Sequence, residues 1–325
     1  MAHDARAGGG RTVVITGVAG FIGSNLADRL LAEGYRVVGV DDLSAGVLEQ
    51  VPAGVEFHRL DIRSPELDRR FRGADAVFHL AAKNCISDCQ AAPVETASVN
   101  VVGTANVLDA AVRAGVGKVV YAESSAVYEG TEVFPTPETE AAPESFYAAS
   151  KMAARHFAEA FGRFRGLRLT ALRYFCVYGP RQDYRRTIPP VMSAFILHLL
   201  SGRRPTIYGS GEKRRDFIYV DDVNDFHLRC LTDPRTDGRV FNLGSGISYS
   251  VREIFEEIRA LLGSDIEPEY APDLPGEARE TRADITAARA LGWTPRIELT
   301  EGLRRSIAYI REHVPGIEDA IGARR

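Results

Sequence analysis

The chain passes from a predicted β-strand into a predicted helix through Thr16-Gly17-Val18-Ala19-Gly20-Phe21-Ile22-Gly23. Residues 12–15 before this stretch are apolar and mostly β-branched, and residues 24–32 after it have a helical pattern. Such a turn leaves backbone N–H groups free at the helix N-terminus, where partial positive charge favours a pyrophosphate. The first glycine fits the tight turn, the second a close approach to phosphates, and the third close helix–strand packing. The stretch predicts a dinucleotide site, spaced G-x-x-G-x-x-G instead of the commoner G-x-G-x-x-G.

A pair of carboxylates ends the next predicted strand. Residues 35–40 are rich in valine, and Asp41 and Asp42 follow them. They lie near the offset of about 20 residues at which an acid binds the adenosine ribose. Two adjacent acids also repel a 2′-phosphate, and no Lys or Arg follows before Arg59. The pair therefore predicts NAD, not NADP, as the cofactor.

Composition excludes several classes of protein. The chain has 325 residues, 45% of them hydrophobic and 26% charged, and its net charge of −4 creates no field for nucleic acid or an anionic membrane. No apolar run approaches the roughly 20 residues of a membrane span. Residues 1–10 are polar and glycine-rich and lack the apolar core of a signal peptide, so we expect a disordered lead-in. Four cysteines suggest no disulfide framework, and we predict a soluble cytoplasmic protein.

Strand-like and helix-like segments alternate through the first half of the chain. The predicted strands are residues 12–15, 35–40, 55–58, 76–80, 118–122 and 167–174. The long predicted helices are residues 94–114 and 146–164. Such βαβ alternation predicts an α/β protein with a doubly wound parallel sheet, whose ligands lie at the carboxyl ends of its strands.

The alternation becomes less regular beyond residue 180. Helical runs there alternate with short strand-like runs and loops, which indicates a smaller C-terminal α+β domain for the substrate. We place the NAD-binding domain at residues 11–176 and the substrate domain at residues 177–325. A segment near residues 216–243 is expected to return to the first domain.

Tyr147-Ala148-Ala149-Ser150-Lys151 places a phenol and an ammonium one helical turn apart. A phenol with a pKa of about 10 is a poor base at neutral pH, and a nearby lysine favours the phenolate. The pair then provides a general base for a hydroxyl or an acid for a ketone. Ser124 follows a predicted strand, where its hydroxyl is able to orient the same substrate oxygen. We predict Ser124, Tyr147 and Lys151 as the catalytic set.

Further motifs extend this pattern along the chain. They are Asp41-Asp42-Leu43-Ser44, His79-Leu80-Ala81-Ala82, Asn100-Val101-Val102-Gly103-Thr104, Ser124-Ser125-Ala126-Val127-Tyr128, Arg173-Tyr174-Phe175, Val177-Tyr178-Gly179-Pro180-Arg181 and Arg215-Asp216-Phe217-Ile218-Tyr219-Val220. With these motifs the chain resembles the extended short-chain dehydrogenase/reductase family, in its NAD-dependent nucleotide-sugar epimerase/dehydratase branch. The resemblance runs from Arg11 to about Val314.

The resemblance implies a Rossmann-type domain that binds NAD and a C-terminal lobe that binds a nucleoside diphosphate. The cofactor-binding residues that it implies are Gly17, Gly20, Phe21, Ile22, Gly23, Asp41, Asp42, Leu43, Ser44, Gly46, Asp61, Ile62, Leu80, Ala81, Ala82, Lys83, Asn100, Tyr147, Lys151 and Tyr174. The substrate-binding residues that it implies are Ser124, Ser125, Ala126, Phe175, Cys176, Arg181, Ile207, Tyr208, Arg215, Glu277 and Arg279. Within these sets, Asp61 and Ile62 would meet the adenine, and Arg215 would bind the substrate diphosphate. Ile207, Tyr208 and Glu277 would lie near the substrate's nucleoside.

The residues after Ser124 favour one reaction within that branch. Dehydratases of the family typically place Asp-Glu there, and the related decarboxylases keep the Glu, whereas this chain has Ser125 and Ala126. A bare Ser–Tyr–Lys set suits 4-epimerisation of a nucleotide sugar, by transient C4 oxidation to a 4-keto intermediate and re-reduction on the opposite face. The substrate would be UDP-glucose or UDP-galactose, or an N-acetyl or uronate relative.

Departures from the family pattern leave other readings open. Cys176 replaces an asparagine that contacts the substrate diphosphate, and Leu274 replaces a common arginine. Either Arg181, Arg186 or Arg279 would compensate for the changed contacts with the substrate diphosphate, or the substrate would have an unusual nucleotide or an unusual sugar. The enzymatic alternative is a nucleotide-sugar dehydratase or reductase of the same fold. The non-enzymatic alternative is a regulator that binds NAD without turnover, which would not need the catalytic set.

Two further expectations concern metal and assembly. Cys85, Cys89 and Cys176 raise the question of a metal site, but Cys-x-x-x-Cys without a second ligand pair is poor zinc spacing, and we predict none. The predicted helices at residues 94–114 and 146–164 carry many apolar positions. Because the family commonly pairs these helices into a four-helix bundle, we expect a homodimer.

Overall fold

The computed structural model describes residues 8–186, 189–273 and 278–314. The chain divides into two units. The first runs to Tyr128 and adds Ala141–Tyr174 and Asn224–Phe241. The second comprises Glu129–Glu140, Phe175–Val223 and the residues from Asn242 onward. The functional assignment of each unit, NAD to the first and substrate to the second, stays a prediction.

The described residues form strands and helices in a regular succession. The strands are β1 (Thr12–Thr16), β2 (Arg36–Asp41), β3 (Glu56–Arg59), β4 (Ala76–His79), β5 (Lys118–Ser124), β6 (Arg168–Tyr174), β7 (Cys176–Tyr178), β8 (Thr206–Tyr208), β9 (Arg214–Tyr219), β10 (Arg239–Leu243), β11 (Ser248–Ser250) and β12 (Glu269–Ala271). The α-helices are α1 (Phe21–Ala32), α2 (Leu67–Phe71), α3 (Ile86–Ala91), α4 (Pro93–Ala97), α5 (Thr104–Ala114), α6 (Phe146–Arg165), α7 (Val191–Leu200), α8 (Val220–Thr232), α9 (Val251–Leu262), α10 (Thr286–Arg289) and α11 (Leu299–His313). Short 3₁₀ helices occupy Leu48–Gln50, Ser125–Tyr128 and Pro234–Thr236, and a π-helix occupies Ser98–Gly103. No helix in the described ranges is both long and apolar enough to cross a bilayer.

A seven-stranded sheet in the order β10-β6-β5-β4-β1-β2-β3 forms the centre of the first unit. Strands β1 to β6 pair in parallel along that order. Val13, Val14 and Ile15 are all buried, as expected for a strand that helices cover on both faces. The chain order reverses between β1 and β4, and this is the point at which doubly wound sheets bind ligands. The predicted α/β doubly wound fold is confirmed.

The long helix predicted for residues 94–114 is interrupted. Helix α4 is followed by the π-helix Ser98–Gly103, and α5 then continues to Ala114, where Gly115 ends it in the left-handed conformation at φ 72°. A π-helix inserts one extra residue into the helical turn, which the 3.6-residue periodicity of a sequence does not reveal. The predicted helix at residues 146–164 matches α6, which begins at the N-cap Ser145, whose hydroxyl accepts a hydrogen bond from the backbone N–H of Ala148.

The second unit has its own small sheets. Strands β11, β9 and β7 form one sheet, in which β9 pairs antiparallel with β11 and parallel with β7. Strands β12 and β8 form a parallel pair. Helix α9 begins with a capping box in which the Ser250 hydroxyl and the Glu253 carboxylate each bond the other residue's backbone N–H. This mixed architecture agrees with the predicted α+β unit.

Candidate active site

Most of the predicted cofactor residues lie at one edge of the first unit's sheet. Strands β1, β2, β4, β5 and β6 end at Thr16, Asp41, His79, Ser124 and Tyr174, and the predicted residues are these ends or follow them. Because neighbouring strands in the sheet are parallel, their carboxyl ends lie along the same edge. The strand order therefore brings residues that are far apart in sequence to one place.

The glycine turn between β1 and α1 leaves no room for side chains. A Cβ on Gly17 would lie 2.7 Å from the backbone nitrogen of Ala81, and one on Gly23 would lie 2.1 Å from the carbonyl oxygen of Gly17. Gly17 also has φ +78°, which an L side chain rarely adopts. The N-cap of α1, Gly20, offers no side-chain cap, and no acidic residue lies in the first turn. The backbone N–H groups of Gly17, Ala19 and Gly20 are already hydrogen-bonded, so the first turn of α1 is the part of this segment that we expect to face the pyrophosphate of NAD.

Asp41 lies beside this turn at the end of β2. Its carboxylate accepts hydrogen bonds from the backbone N–H of Ala19 at 3.0 Å and of Leu43 at 2.9 Å. Burial raises the pKa of Asp41, and these two hydrogen bonds oppose the rise. A Cβ on Gly46 would lie 2.9 Å from the carboxylate, so the following loop passes close above it. The acid is oriented, and its remaining lone pairs suit ribose hydroxyls.

The residues predicted to meet the adenine follow β3. The Asp61 carboxylate pairs with the Arg63 guanidinium at 2.6 Å, which lowers the pKa of Asp61. Ile62 is buried, and a Cβ on Gly103 would lie 2.6 Å from its Cδ1 atom. Gly103 thus permits close packing between this loop and the π-helix.

Lys151 is buried with its ammonium beside Tyr147. Its Nζ atom donates to the carbonyl oxygen of Ala122 at 2.8 Å and lies 5.9 Å from the centroid of the Tyr147 ring. Only 4% of the Lys151 surface is exposed, and burial lowers its pKa to about 8, while Glu123 and Cys89 oppose that shift. The lysine therefore remains charged at pH 7 and supplies a desolvated cation next to the phenol.

The π-helix orients Asn100 toward α6, the helix that contains Tyr147 and Lys151. The Asn100 amide donates to the Ser150 hydroxyl at 2.9 Å and exchanges hydrogen bonds with the backbone of Lys83 at 2.8 and 2.9 Å. Ser150 in turn donates to the carbonyl oxygen of Tyr147 at 2.7 Å. Asn100 thereby ties the loop after β4 to the turn of α6 that carries Tyr147.

Sequence reasoning missed a buried polar chain that joins four elements, β1, β4, the π-helix and α5. His79 contacts the Thr16 hydroxyl at 2.8 Å through Nδ1 and the Thr104 hydroxyl at 2.9 Å through Nε2, and Thr104 donates to the carbonyl oxygen of Asn100 at 2.6 Å. Burial lowers the pKa of His79 to about 3, so its imidazole is neutral. The available signal was a histidine at the end of the wholly apolar run 76–78.

Ser124 ends β5 above a buried ion pair that the sequence also did not reveal. Arg173 donates to Glu123 at 2.7 Å and to the Tyr128 hydroxyl at 2.6 Å, and both charged side chains are fully buried. The Ser124 hydroxyl accepts a hydrogen bond from the backbone N–H of Ala126 at 3.1 Å. These contacts fix the 3₁₀ turn that follows Ser124, where Ser125 and Ala126 lie.

Tyr174 uses its hydroxyl within the first unit. That hydroxyl lies 2.7 Å from Nε2 of His227, and both side chains are buried. Burial raises the pKa of Tyr174 well above 10 and lowers that of His227 to about 3. Because the Tyr174 hydroxyl already contacts His227, the expectation that Tyr174 binds the cofactor rests on its position at the end of β6 and not on a free hydroxyl.

The second unit carries the remaining predicted substrate residues. Its members in the described ranges are Phe175, Cys176, Arg181, Ile207, Tyr208, Arg215 and Arg279. Ile207 is buried and Tyr208 exposed on β8, and Arg181 has the unusual φ of 66°. Glu277 and Leu274 lie outside the described residues.

The cysteines weighed as metal ligands are free thiols. Cys85 and Cys89 are buried in the first unit, and Cys176 lies on β7 of the second. Among the described residues, no three His, Cys, Asp or Glu side chains are grouped as a metal site requires.

Replacement of Asp41 tests the cofactor site. We expect Asp41→Ala to raise the Kd of NAD about 10-fold by removing a charged hydrogen-bond acceptor. A modest loss of thermal stability should accompany it, because two backbone N–H groups lose their acceptor. Calorimetric titration measures the Kd, with Asp75→Ala as the matched control, since Asp75 also accepts a backbone N–H, from Thr12 at 2.9 Å. An Asp41→Ala protein with unchanged NAD affinity would contradict this role.

Known proteins are similar to this chain over nearly its full length. UDP-glucose 4-epimerase of Mycolicibacterium smegmatis is 38% identical over 309 residues, which cover 92% of this chain and 98% of that protein. The crystal structure of UDP-glucose 4-epimerase from Thermotoga maritima with UDP-glucose has a TM-score of 0.89 at 37% identity, covering 93% of this chain and 99% of that one. The corresponding enzyme of Thermus thermophilus, in complex with NAD, has a TM-score of 0.86 at 34% identity, covering 93% and 100%.

The match to a family agrees with these individual similarities. Residues 13–244 match the NAD dependent epimerase/dehydratase family, and that range contains the glycine turn, Asp41 and the Ser–Tyr–Lys set. The chain therefore belongs to the NAD dependent epimerase/dehydratase family.

Proposed function

We propose that this protein is an NAD-dependent nucleotide-sugar 4-epimerase that acts on a UDP-sugar. The observation that carries the proposal is the charged, buried Lys151 beside Tyr147, together with Ser125 and Ala126, neither of them a carboxylate, directly after Ser124. Relatives named UDP-glucose 4-epimerase, one of them solved with UDP-glucose, support the UDP-sugar assignment.

The chain's own residues account for the proton movements of such a reaction. Bound NAD supplies reversible hydride acceptance. The Tyr147 phenolate, stabilised by the Lys151 ammonium, would take the proton of the sugar 4-hydroxyl and return it after the sugar has turned over. The Ser124 hydroxyl would hydrogen-bond the same sugar oxygen and hold it near Tyr147. The buried network around His79 and Asn100 would keep these groups in place without titrating near neutral pH.

The dehydratase alternative needs an acid and a base beyond the Ser–Tyr–Lys set. The positions that carry them in family dehydratases are Ser125 and Ala126, within the 3₁₀ turn after Ser124. Neither side chain is able to supply a carboxylate, and this favours epimerisation over elimination. A regulator that binds NAD without turnover would not need a lysine of lowered pKa beside a phenol. A lysine with a shifted pKa in such a position is typical of a catalytic site.

A substrate panel tests the proposal. The purified chain is incubated with NAD and UDP-, GDP-, CDP- and dTDP-sugars, and the products are identified by NMR. We expect a UDP-hexose to equilibrate with its C4 epimer without net consumption of NAD. A 4-keto-6-deoxy product would support the dehydratase, and NAD binding without turnover of any sugar would support the regulator.

We further propose a homodimer that pairs the helical segments 94–114 and 146–164. Five large apolar side chains on these segments are exposed: Val94, Val102, Phe146, Phe157 and Phe164. Val94 and Phe164 are 83% and 76% exposed, and covering apolar surface of this kind drives association.

Light scattering checks the dimer. We expect twice the monomer mass at micromolar concentration and a shift toward monomer in Phe157→Glu, because the new charge would be buried in the interface. Ile247→Glu, which changes an exposed residue of the second unit, should leave the mass unchanged. A wild-type monomer at micromolar concentration would refute the dimer.

A cytoplasmic location is also part of the proposal. Its support is that all four cysteines are free thiols, as is usual in a reducing compartment. Fractionation of the source cells tests it.

A further inference from the structure

Glu123 is a fully buried carboxylate near the carboxyl end of β5, and its two oxygens have different surroundings. The Oε2 atom accepts a hydrogen bond from Nε of Arg173 at 2.7 Å. The Oε1 atom is also buried, and it accepts no hydrogen bond from any residue that the structure describes. Because Arg173 bonds only one of the two oxygens, the negative charge on the other oxygen acts on further positive groups nearby.

The Lys151 ammonium is such a group, on the same face of β5. Side chains alternate along a strand, so Tyr121 and Glu123 point to one face of the sheet. Helix α6 covers that face, because Nζ of Lys151 lies 5.2 Å from the centroid of the Tyr121 ring and the Tyr121 hydroxyl donates to the carbonyl oxygen of Lys151 at 3.2 Å. Nζ itself donates to the carbonyl oxygen of Ala122, the residue directly before Glu123. The ammonium therefore lies against the backbone between Tyr121 and Glu123.

Several charged or titratable groups surround Lys151 and Glu123. They are His79 of β4, Cys89 of α3, Tyr121 of β5, Tyr147 and Arg155 of α6, and Arg173 of β6. Burial lowers the pKa of His79 to about 3 and raises the pKa values of Cys89 and Tyr121, so these three groups are neutral near pH 7. Apart from Tyr147 itself, Glu123 is thus the group of this set that supplies negative charge to Lys151.

The charge of Glu123 is maintained by its own partners. Burial raises the pKa of Glu123, and the guanidinium groups of Arg173 and Arg155 and the Lys151 ammonium oppose that rise. In the same way, burial favours the neutral amine of Lys151, and the Glu123 carboxylate opposes this by favouring the ammonium. The carboxylate and the ammonium therefore stabilise each other's charged forms within the first unit.

We propose that Glu123 is a positioning residue for the reaction, whose buried carboxylate, held by Arg173, keeps Lys151 in the ammonium form beside Tyr147. The inference rests on the proposed function, since the ammonium acts there on the Tyr147 phenolate. Because its side chain is fully buried, Glu123 acts through Lys151 and not by contact with the substrate.

The pH profile of Glu123→Gln tests the inference, because this change keeps the shape of the side chain and removes its charge. We expect the alkaline decline of kcat, which follows the loss of the Lys151 proton, to move about one pH unit lower. With the UDP-hexose that the substrate panel identifies, turnover should be about 5-fold below wild type at pH 8 and close to wild type at pH 6. Glu123→Asp, which retains a carboxylate, should restore most of the wild-type profile.

A second readout is independent of turnover. Carbon-13 NMR of the lysine ε carbons in the NAD-loaded chain follows the titration of each lysine, and the Lys151 signal is the one that Lys151→Met lacks. We expect the pKa of Lys151 to be about one pH unit lower in Glu123→Gln than in the wild type.

Asp222→Asn is the matched control. Asp222 is a buried carboxylate of the second unit that accepts the backbone N–H groups of Arg296 at 2.8 Å and Ile297 at 3.1 Å. Its replacement should lower stability and leave the pH profile and the pKa of Lys151 unchanged. Glu123→Gln also lowers stability, because Arg173 loses its carboxylate. If it does not fold, the double variant Glu123→Gln, Arg173→Met, which removes both buried charges, takes its place and should also lower the pKa of Lys151.

Two results would overturn the inference. One is an unchanged pKa of Lys151 in Glu123→Gln or in the double variant that replaces it, which would leave Glu123 a structural role alone. The other is a lowered pKa of Lys151 with a wild-type pH profile of kcat, because Glu123 would then have no effect on the reaction. A chain in which Glu123→Gln lowers the pKa of Lys151 but which epimerises no nucleotide sugar would instead refute the proposed function alone.

Discussion

Tyr147→Phe is expected to lower turnover of the true substrate by roughly 10²-fold or more, because a positioned acid–base group contributes about that much. The ring of Tyr147 remains in the variant, and only the oxygen that accepts and returns the proton is lost. Affinity for NAD and for the nucleotide sugar should therefore stay close to that of the wild type. Steady-state kinetics combined with calorimetric binding separates the two effects.

The control for this change is Tyr178→Phe. Tyr178 is a buried tyrosine of the second unit, and its hydroxyl makes a 3.4 Å contact with the carbonyl oxygen of Leu299. Loss of that hydroxyl should cost some stability and leave turnover unchanged. A Tyr147→Phe enzyme with near-normal turnover would remove the proposed mechanism. The fold and the family assignment would be unaffected. The favoured hypothesis would then be a different general base or a regulator that binds NAD without turnover.

The fold was predictable because its strongest signals are local. The glycine turn, the apolar runs of β1, β2 and β4 and the amphipathic helices all follow from short stretches of sequence. The three-residue strands β7, β11 and β12 were not predicted from the sequence, because strands of that length have no measurable periodicity. They are stabilised by pairing with neighbouring strands. The π-helix at Asn100 was missed for a related reason, since its extra residue is stabilised by contacts with Lys83 and Ser150 far along the chain.

The candidate site, like the fold, contains residues that local motifs predict and residues that only distant contacts bring together. Gly17, Asp41, Tyr147 and Lys151 belong to motifs whose spacing carries a physical meaning. The buried polar residues around the site belong to no such motif. Arg173 and Glu123, for example, are fifty residues apart in sequence and meet only because β5 pairs with β6. Parallel pairing brings such residues together, and a single sequence contains no record of it.

The second large effect concerns the charge beside Tyr147. Lys151→Met keeps an unbranched apolar side chain of similar length but removes the ammonium. We expect turnover to fall at least about 10²-fold, because the phenolate of Tyr147 loses its stabilising cation. The Kd of NAD should also rise about 10-fold if the ammonium bonds the cofactor ribose, as the family resemblance implies. The matched control is Lys118→Met, which removes a similarly buried lysine that donates to the Thr236 hydroxyl at 2.6 Å and should lower stability without affecting turnover.

The pH dependence of the wild type gives this prediction a second, independent readout. Burial lowers the pKa of Lys151 to about 8, so the ammonium is lost as the pH rises through that value, and kcat should fall there. The contribution of Lys151 to stability has the opposite sign, because its folded pKa lies below the unfolded value of about 10.4 and the unfolded chain binds more protons between the two. Stability from this group therefore rises over the window in which activity declines, and unfolding does not explain the loss. Lys151→Met should lack the alkaline decline, and a variant that retains both the decline and wild-type turnover would exclude Lys151 from the mechanism.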